Sequence, residues 1–175
     1  YTIIGSKNIK IKSPVYPYSK DINTNEDGFS RLGWCYGDLG VAISLWHAGK
    51  TINESVLLEE SIKTFEIASM RRDLTNAQVK DAALCHGAAG ISHIFFKYYL
   101  KTKNERLLSA SDYWLDVALN LIKPSEKVIT GKTRWHNEAG YVNSFNLLEG
   151  LSGVGLSLLS RVSETELCWD TALLM

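Results

Sequence analysis

One stretch decides the fold: residues 84–90 read LCHGAAG, a Gly-x-x-Gly motif preceded by cysteine and histidine and followed by an apolar run. The same design occurs as WCYGDLG at residues 34–40 and as LEGLSG at residues 148–153. Gly37 and Gly87 are 50 residues apart, which is enough chain for two helices and two loops. The sequence therefore contains a repeat, and soft metal-type ligands precede the first glycine in only two of its copies.

The segments between the motifs predict an all-α fold. Three runs that follow the motifs are apolar on nearly every side, which predicts buried helices at residues 41–48, 91–100 and 154–162. Two segments space their apolar residues along one face, which predicts amphipathic helices at residues 54–71 and 105–122. Buried helices that alternate with amphipathic helices fit an inner ring wrapped by an outer ring. We therefore expect an α/α toroid, or part of one, built from helical hairpins.

Positions outside the motifs are predicted to be structural. Asn53 and Asn104 precede the amphipathic segments and are the predicted N-caps. Residues 124–145 form a long excursion before the third motif, and long excursions of this kind often carry function. His93 is predicted to pack in the core. Cys168 lies outside every motif and is predicted to be structural.

Composition excludes several classes of protein. A chain of 175 residues, 45% hydrophobic, can form one domain with a core. Its 19 basic and 19 acidic residues balance, so nothing favours binding to nucleic acid or to an anionic membrane. No apolar run reaches the roughly 18–20 residues that span a bilayer. Three cysteines are too few for a disulfide scaffold and favour metal or catalytic thiols in the reducing cytoplasm.

Cys35, Cys85 and His86 form a candidate metal site. The adjacent Cys85 and His86 can reach one metal only from a loop or a first helical turn, where the glycines place them. Three protein ligands leave one tetrahedral position open, which is typical of catalytic zinc, and two thiolates suit a site that binds a substrate thiol. The alternative is that both cysteines are small buried hydrophobic residues. Trp34 and Tyr36 are equally compatible with a core and with a pocket.

Taken in order, these motifs resemble the LanC family, the lanthionine synthetase cyclases. The resemblance rests on residues 34–37, 85–87 and 147–153 and on the ending WDTALL at residues 169–174. It implies an α/α toroid with a central zinc ion held by Cys35, Cys85 and His86. The implied reaction is a Michael-type addition of a peptide cysteine thiolate to dehydroalanine or dehydrobutyrine, which forms a thioether ring in lantibiotic-type peptides.

The resemblance also implies roles and partners. Arg31 matches an active-site arginine of the family that would stabilise enolate charge, and Tyr36 matches a pocket position. The catalytic histidine and aspartate of the family come from its earlier half, and no residue here is matched to them. The implied partners are a dehydrated precursor peptide, a dehydratase and the upstream half of the same protein.

A whole cyclase of this family is more than twice as long as this chain. Residues 1–175 are therefore expected to be the C-terminal portion of a single toroid domain, and alone to form no thioether ring and to associate or dissolve poorly. Two other functions stay open at this point. One is the addition of glutathione to dehydroamino acids in damaged proteins, as LanC-like proteins do. The other is a zinc-bearing scaffold that binds a peptide or a partner without turnover.

Overall fold

The computed structural model describes residues 15–16, 30–124, 129–131, 135–136, 140–141 and 144–175. Over these residues the chain forms five α-helices and ends in a short 3₁₀ turn at Thr171–Leu173. No helix in this part of the chain has the length and the apolar content needed to cross a membrane. The helices are α1 (Asp38–Ile52), α2 (Ser55–Ala68), α3 (Ala88–Thr102), α4 (Glu105–Leu121) and α5 (Leu151–Val162).

The helices pair as the repeat predicts. α1 packs against α2, α3 packs against α4, and α5 packs against α3. The core lies between the two hairpins, where the Tyr98 ring of α3 contacts Phe65 of α2 with centroids 4.1 Å apart. Tyr98 also meets Trp46 of α1 edge to face at 5.5 Å. One aromatic side chain therefore joins both hairpins, and buried Trp114 and Leu107 extend the core beneath α4.

The predicted all-round burial of the motif helices holds for α3 but is wrong for α1 and α5. From Ala88 to Phe95 every residue of α3 is buried. By contrast, α5 buries only Gly153, Val154 and Ser157. The physical reason is the position of α3 in the fold. Trp46 of α1 packs on one side of it, and α5 packs on another. Among the described elements, α1 packs mainly against α2 and α5 mainly against α3.

One predicted helix cap is confirmed and one is wrong. The Asn104 side chain accepts a hydrogen bond from Arg106 N at 3.1 Å and caps α4. Asn53 instead ends α1, with a left-handed φ of 55°. Asparagine tolerates this conformation at helix ends, and the connection to α2 is too short to supply another turn residue. Glu54 takes the capping position of α2 and accepts a hydrogen bond from Val56 N.

Two short antiparallel ladders lie in the excursion before α5. Ile122–Pro124 (β1) pairs with Ile129–Gly131 (β2), and Trp135–His136 (β3) pairs with Gly140–Tyr141 (β4). They add local strands to an otherwise helical arrangement and do not change its class.

Candidate metal centre

The three Gly-x-x-Gly motifs form equivalent turns at the start of α1, α3 and α5. Gly37, Gly87 and Gly150 are the N-caps of these helices. Backbone hydrogen bonds connect the turns in series, from Trp34 N to Cys85 O at 2.8 Å and from Cys85 N to Leu148 O at 2.8 Å. The residues just before the glycines are therefore brought to one place.

The second glycine of each motif is required by a close approach of the backbone. A Cβ atom on Gly90 would lie 1.7 Å from Leu84 O, and one on Gly153 would lie 1.9 Å from Leu147 O. No side chain fits at such distances. In each repeat the chain before the turn thus passes directly over the first turn of the helix, which fixes where the preceding residues point.

Cys35, Cys85 and His86 are brought together by this arrangement. Their ligand atoms all lie within 4.8 Å of one another. Cys85 is buried, His86 is partly buried and Cys35 is exposed. Two thiols and one imidazole are a donor set that suits zinc, and one side of the cluster is open to solvent. Cys168 is exposed and is not part of this cluster.

The two thiols differ in acidity because a hydrogen bond joins them. A hydrogen bond from Cys85, aided by the hydrogen bond and charge of His86 and by the charge of Arg31, lowers the pKa of Cys35 to about 4. The same hydrogen bond, together with burial, raises the pKa of Cys85. The exposed cysteine is therefore the more acidic of the two. Deprotonated sulfur is the form that binds a metal.

Arg31 and Tyr36 lie together beside the cluster. The Arg31 guanidinium is 5.2 Å from the centroid of the Tyr36 ring, in cation–π geometry. Arg31 Nε is buried and has no hydrogen-bond partner among the described residues. Tyr36 is 41% exposed. The pair therefore presents an unused buried N–H group and an accessible aromatic ring next to Cys35, although Trp34, on the other side of Cys35, packs against the core.

Two acidic residues at this site were not assigned a role from the sequence. Asp81 is 2% exposed, and its Oδ2 lies 3.8 Å from His86 Nε2. Burial raises the pKa of Asp81, and the charge of Glu149, which stands in the third repeat at the position of His86, adds a smaller effect in the same direction. Spacing offered a signal for Asp81, since it precedes Gly87 by six residues, as Arg31 precedes Gly37.

The C-terminal residues 166–175 connect this site to the helices. Trp34 Nε1, directly before Cys35, donates a hydrogen bond to Leu173 O at 2.8 Å. His93 lies in the core, as predicted, and its Nε2 is 2.6 Å from a carboxylate oxygen of Asp170. Lys97 Nζ bonds Glu166 at 2.9 Å. Residues 166–175 are therefore held by the turn before α1 and by α3.

Comparisons with known proteins agree with this architecture. The family model "Lanthionine synthetase C-like protein" matches residues 4–174. Nisin biosynthesis protein NisC of Lactococcus lactis subsp. lactis is 27% identical over 153 residues, which are 86% of this chain and 32% of that protein. The structure of a nisin cyclase matches with a TM-score of 0.62 and 21% identity, over 85% of this chain and 33% of that chain. The fold is thus that of the predicted α/α toroid, and the chain spans about a third of the length of these relatives.

Proposed function

This chain belongs to the lanthionine synthetase C-like family, and from that premise we propose that its cysteine–histidine cluster is the zinc site of a thioether-forming cyclase. The observation that carries the proposal is the convergence of Cys35, Cys85 and His86, from two different repeats, within 4.8 Å. A zinc ion bound there would lower the pKa of a substrate cysteine and hold it as a nucleophilic thiolate.

The residues present fit such an ion. Cys35 favours the thiolate form, and Cys85 adds a second sulfur from the buried side. His86 provides one ring nitrogen, which completes three protein ligands and leaves a fourth direction for substrate. Because Cys35 and Tyr36 are both exposed, we infer that a peptide approaches from their side.

The proposed reaction joins a peptide cysteine to dehydroalanine or dehydrobutyrine. The sulfur forms a bond to the β-carbon, the π electrons of the alkene move to the carbonyl oxygen as an enolate, and a proton is then added at the α-carbon. One proton leaves the thiol and one proton is added at the α-carbon, so the reaction needs no oxidant or reductant. Arg31 would donate from its unpartnered Nε to the enolate oxygen, where negative charge develops in the transition state. Tyr36 would line the pocket and hold the Arg31 guanidinium over its ring.

The test compares two cysteine variants. Cys85→Ala is expected to lose bound zinc and cyclisation, because it removes the buried ligand. Cys168→Ala is the matched control, a free cysteine outside the cluster, and is expected to change neither. Elemental analysis gives the zinc content. Cyclisation is followed as the loss of free thiols from a dehydrated peptide, in the longest polypeptide that carries this sequence.

Two results would contradict the proposal. Equal zinc loss in both variants would mean that the cysteines act through folding and not as ligands. Zinc retained in Cys85→Ala would mean that the metal binds at another site.

A further inference from the structure

Asp81 is a buried carboxylate that faces the outer edge of the cluster. Its Oδ1 accepts a hydrogen bond from Ala83 N at 2.9 Å, which fixes the side chain in the turn before α3. Its other oxygen, Oδ2, lies 3.8 Å from His86 Nε2. This distance is longer than a hydrogen bond, so the contact in this structure is electrostatic.

Capping the turn would not by itself require a buried charge. Asp73 performs the same backbone capping in the preceding loop, accepting from Asn76 N at 2.7 Å, and it is exposed. Burial of a carboxylate is costly unless a partner of suitable charge or a donor compensates it. Oδ2 of Asp81 lies against the His86 ring, and the charge of Arg31 also favours the ionised carboxylate.

We propose that Asp81 is a positioning residue, which keeps the proton of neutral His86 on Nε2 and so leaves Nδ1 as the nitrogen that meets the metal. This inference rests on the proposed zinc function and adds a member to the site. A ligand histidine in proteins usually donates its second ring N–H to a carboxylate or a carbonyl, and this partner sets both the tautomer and the ring orientation.

The Asp81→Asn variant tests the inference sharply. Ala83 N–H still needs an acceptor, so the amide oxygen of the new side chain stays with it and the NH₂ group faces His86 Nε2. When Nδ1 binds the metal, Nε2 carries the ring proton. The Nε2–H group and the NH₂ group of the new side chain are then both donors and cannot form a hydrogen bond with each other. Zinc affinity, measured by competition with a chelator, is expected to fall by about tenfold to a hundredfold.

A nitrogen-15 NMR measurement on the zinc-loaded wild type gives a second readout. The expected result is a metal-bound Nδ1 and a protonated Nε2 on His86. A metal-bound Nε2 would overturn the inference without any variant, even if Asp81→Asn fails to fold.

A control variant separates positioning from backbone capping. Asp73→Asn alters an exposed carboxylate that also caps a backbone N–H. It is expected to keep zinc affinity within about twofold of wild type, well inside the tenfold effect expected for a ligand partner. If the wild type binds zinc and Asp81→Asn binds it equally well, the inference fails and the zinc function stands. If the wild type binds no zinc, both fail together.

Discussion

Cys35 and Cys85 hold the same position in successive repeats, but their surroundings differ. Cys85 lies in the core, and its backbone N–H donates a hydrogen bond to Leu148 O. Cys35 is exposed and carries the lowered pKa. In the proposed zinc site the buried sulfur would therefore be the fixed ligand, and a substrate would enter from the exposed side of the cluster.

Arg31→Lys is a prediction at this scale. Lysine keeps the positive charge but lacks the planar set of N–H donors that can hold an enolate oxygen. We expect full zinc content and a rate of ring formation lowered by about tenfold to a hundredfold, equivalent to the loss of one charged hydrogen bond. Single-turnover cyclisation and zinc analysis on the same sample measure both. An unchanged rate at full zinc content would remove Arg31 from the chemistry.

Single residues were predictable where a repeat placed them. Cys35, Cys85 and His86 were candidates because each stands just before a motif glycine, and Gly-x-x-Gly spacing is visible in the sequence. Asp81 was missed because its burial and its contact with His86 exist only after the turn has formed. Asn53 was misassigned because asparagine favours both an N-cap and a left-handed helix end, and only the length of the connection decides between them.

The Gly-x-x-Gly turn determines the position of each motif helix. A Cβ on Gly153 would also lie 2.8 Å from Leu84 Cβ of the neighbouring repeat. The second glycine thus allows close approach both within its own turn and between turns. Substitution there should move the cluster as well as lower stability.

Gly153→Ala and Gly155→Ala form a matched pair in α5. Overpacking against Leu147 O is expected to lower the free energy of unfolding of Gly153→Ala by about 1–3 kcal/mol. Apart from the backbone of its own helix, no atom of the described residues lies within 4 Å of a Cβ at Gly155, so alanine there is expected to stabilise the helix by about 0.5–1 kcal/mol. Urea denaturation measures both values. Similar shifts in the two variants would show that the close approach does not constrain the turn.

Helices were predicted well as elements and less well at their edges. Apolar runs and amphipathic spacing located all five helices. α1 begins at Asp38, before its apolar run, because Gly37 with φ 89° can end the turn and cap the helix. The predicted burial of α1 and α5 was wrong because burial depends on neighbouring helices, which a pattern within one segment does not reveal.

At the scale of the molecule, residues 166–175 hold the hairpins together. Trp169 stacks on His93 with ring centroids 5.0 Å apart, and its indole N–H bonds Ser160 of α5. Nε2 of His47 in α1 lies within hydrogen-bond distance of Leu174 O, at 2.7 Å. These contacts join residues up to 127 positions apart, and no local sequence pattern predicts them. The toroid class was predictable from the repeats, and this attachment was not.

Asp170→Asn should weaken the attachment. Asp170 is 1% exposed and accepts hydrogen bonds from His93 and Lys97. Losing this charged acceptor is expected to lower the free energy of unfolding by about 1–3 kcal/mol at pH 7. Glu166→Gln is the control, because Glu166 is largely exposed and its ion pair with Lys97 contributes little. Urea midpoints of the two variants compare them, and equal midpoints would argue against a stabilising role for Asp170.

The effect should also depend on pH. Burial opposes ionisation of Asp170, but the hydrogen bond and charge of His93 and the charge of Lys97 lower its pKa overall. A lowered carboxyl pKa contributes stability above the unfolded value of about 3.9 and loses it as pH falls further, through the folded value. The stability contributed by ionised Asp170 is therefore expected in full at neutral pH and to disappear in acid. Urea titrations of wild type and Asp170→Asn at several pH values check this.

The hydrogen bond from Trp34 to Leu173 has a consequence for biosynthesis. Its two partners are 139 residues apart, so at about 5–20 residues per second the donor is made roughly 7–28 s before its acceptor. During that interval the loop that carries Cys35 lacks its final support, while α1 to α4 can already pair. The loop that carries Cys35 can therefore complete its hydrogen bonding only after residue 173 has been synthesised, and a nascent chain that stalls before residue 166 would leave this loop without that support.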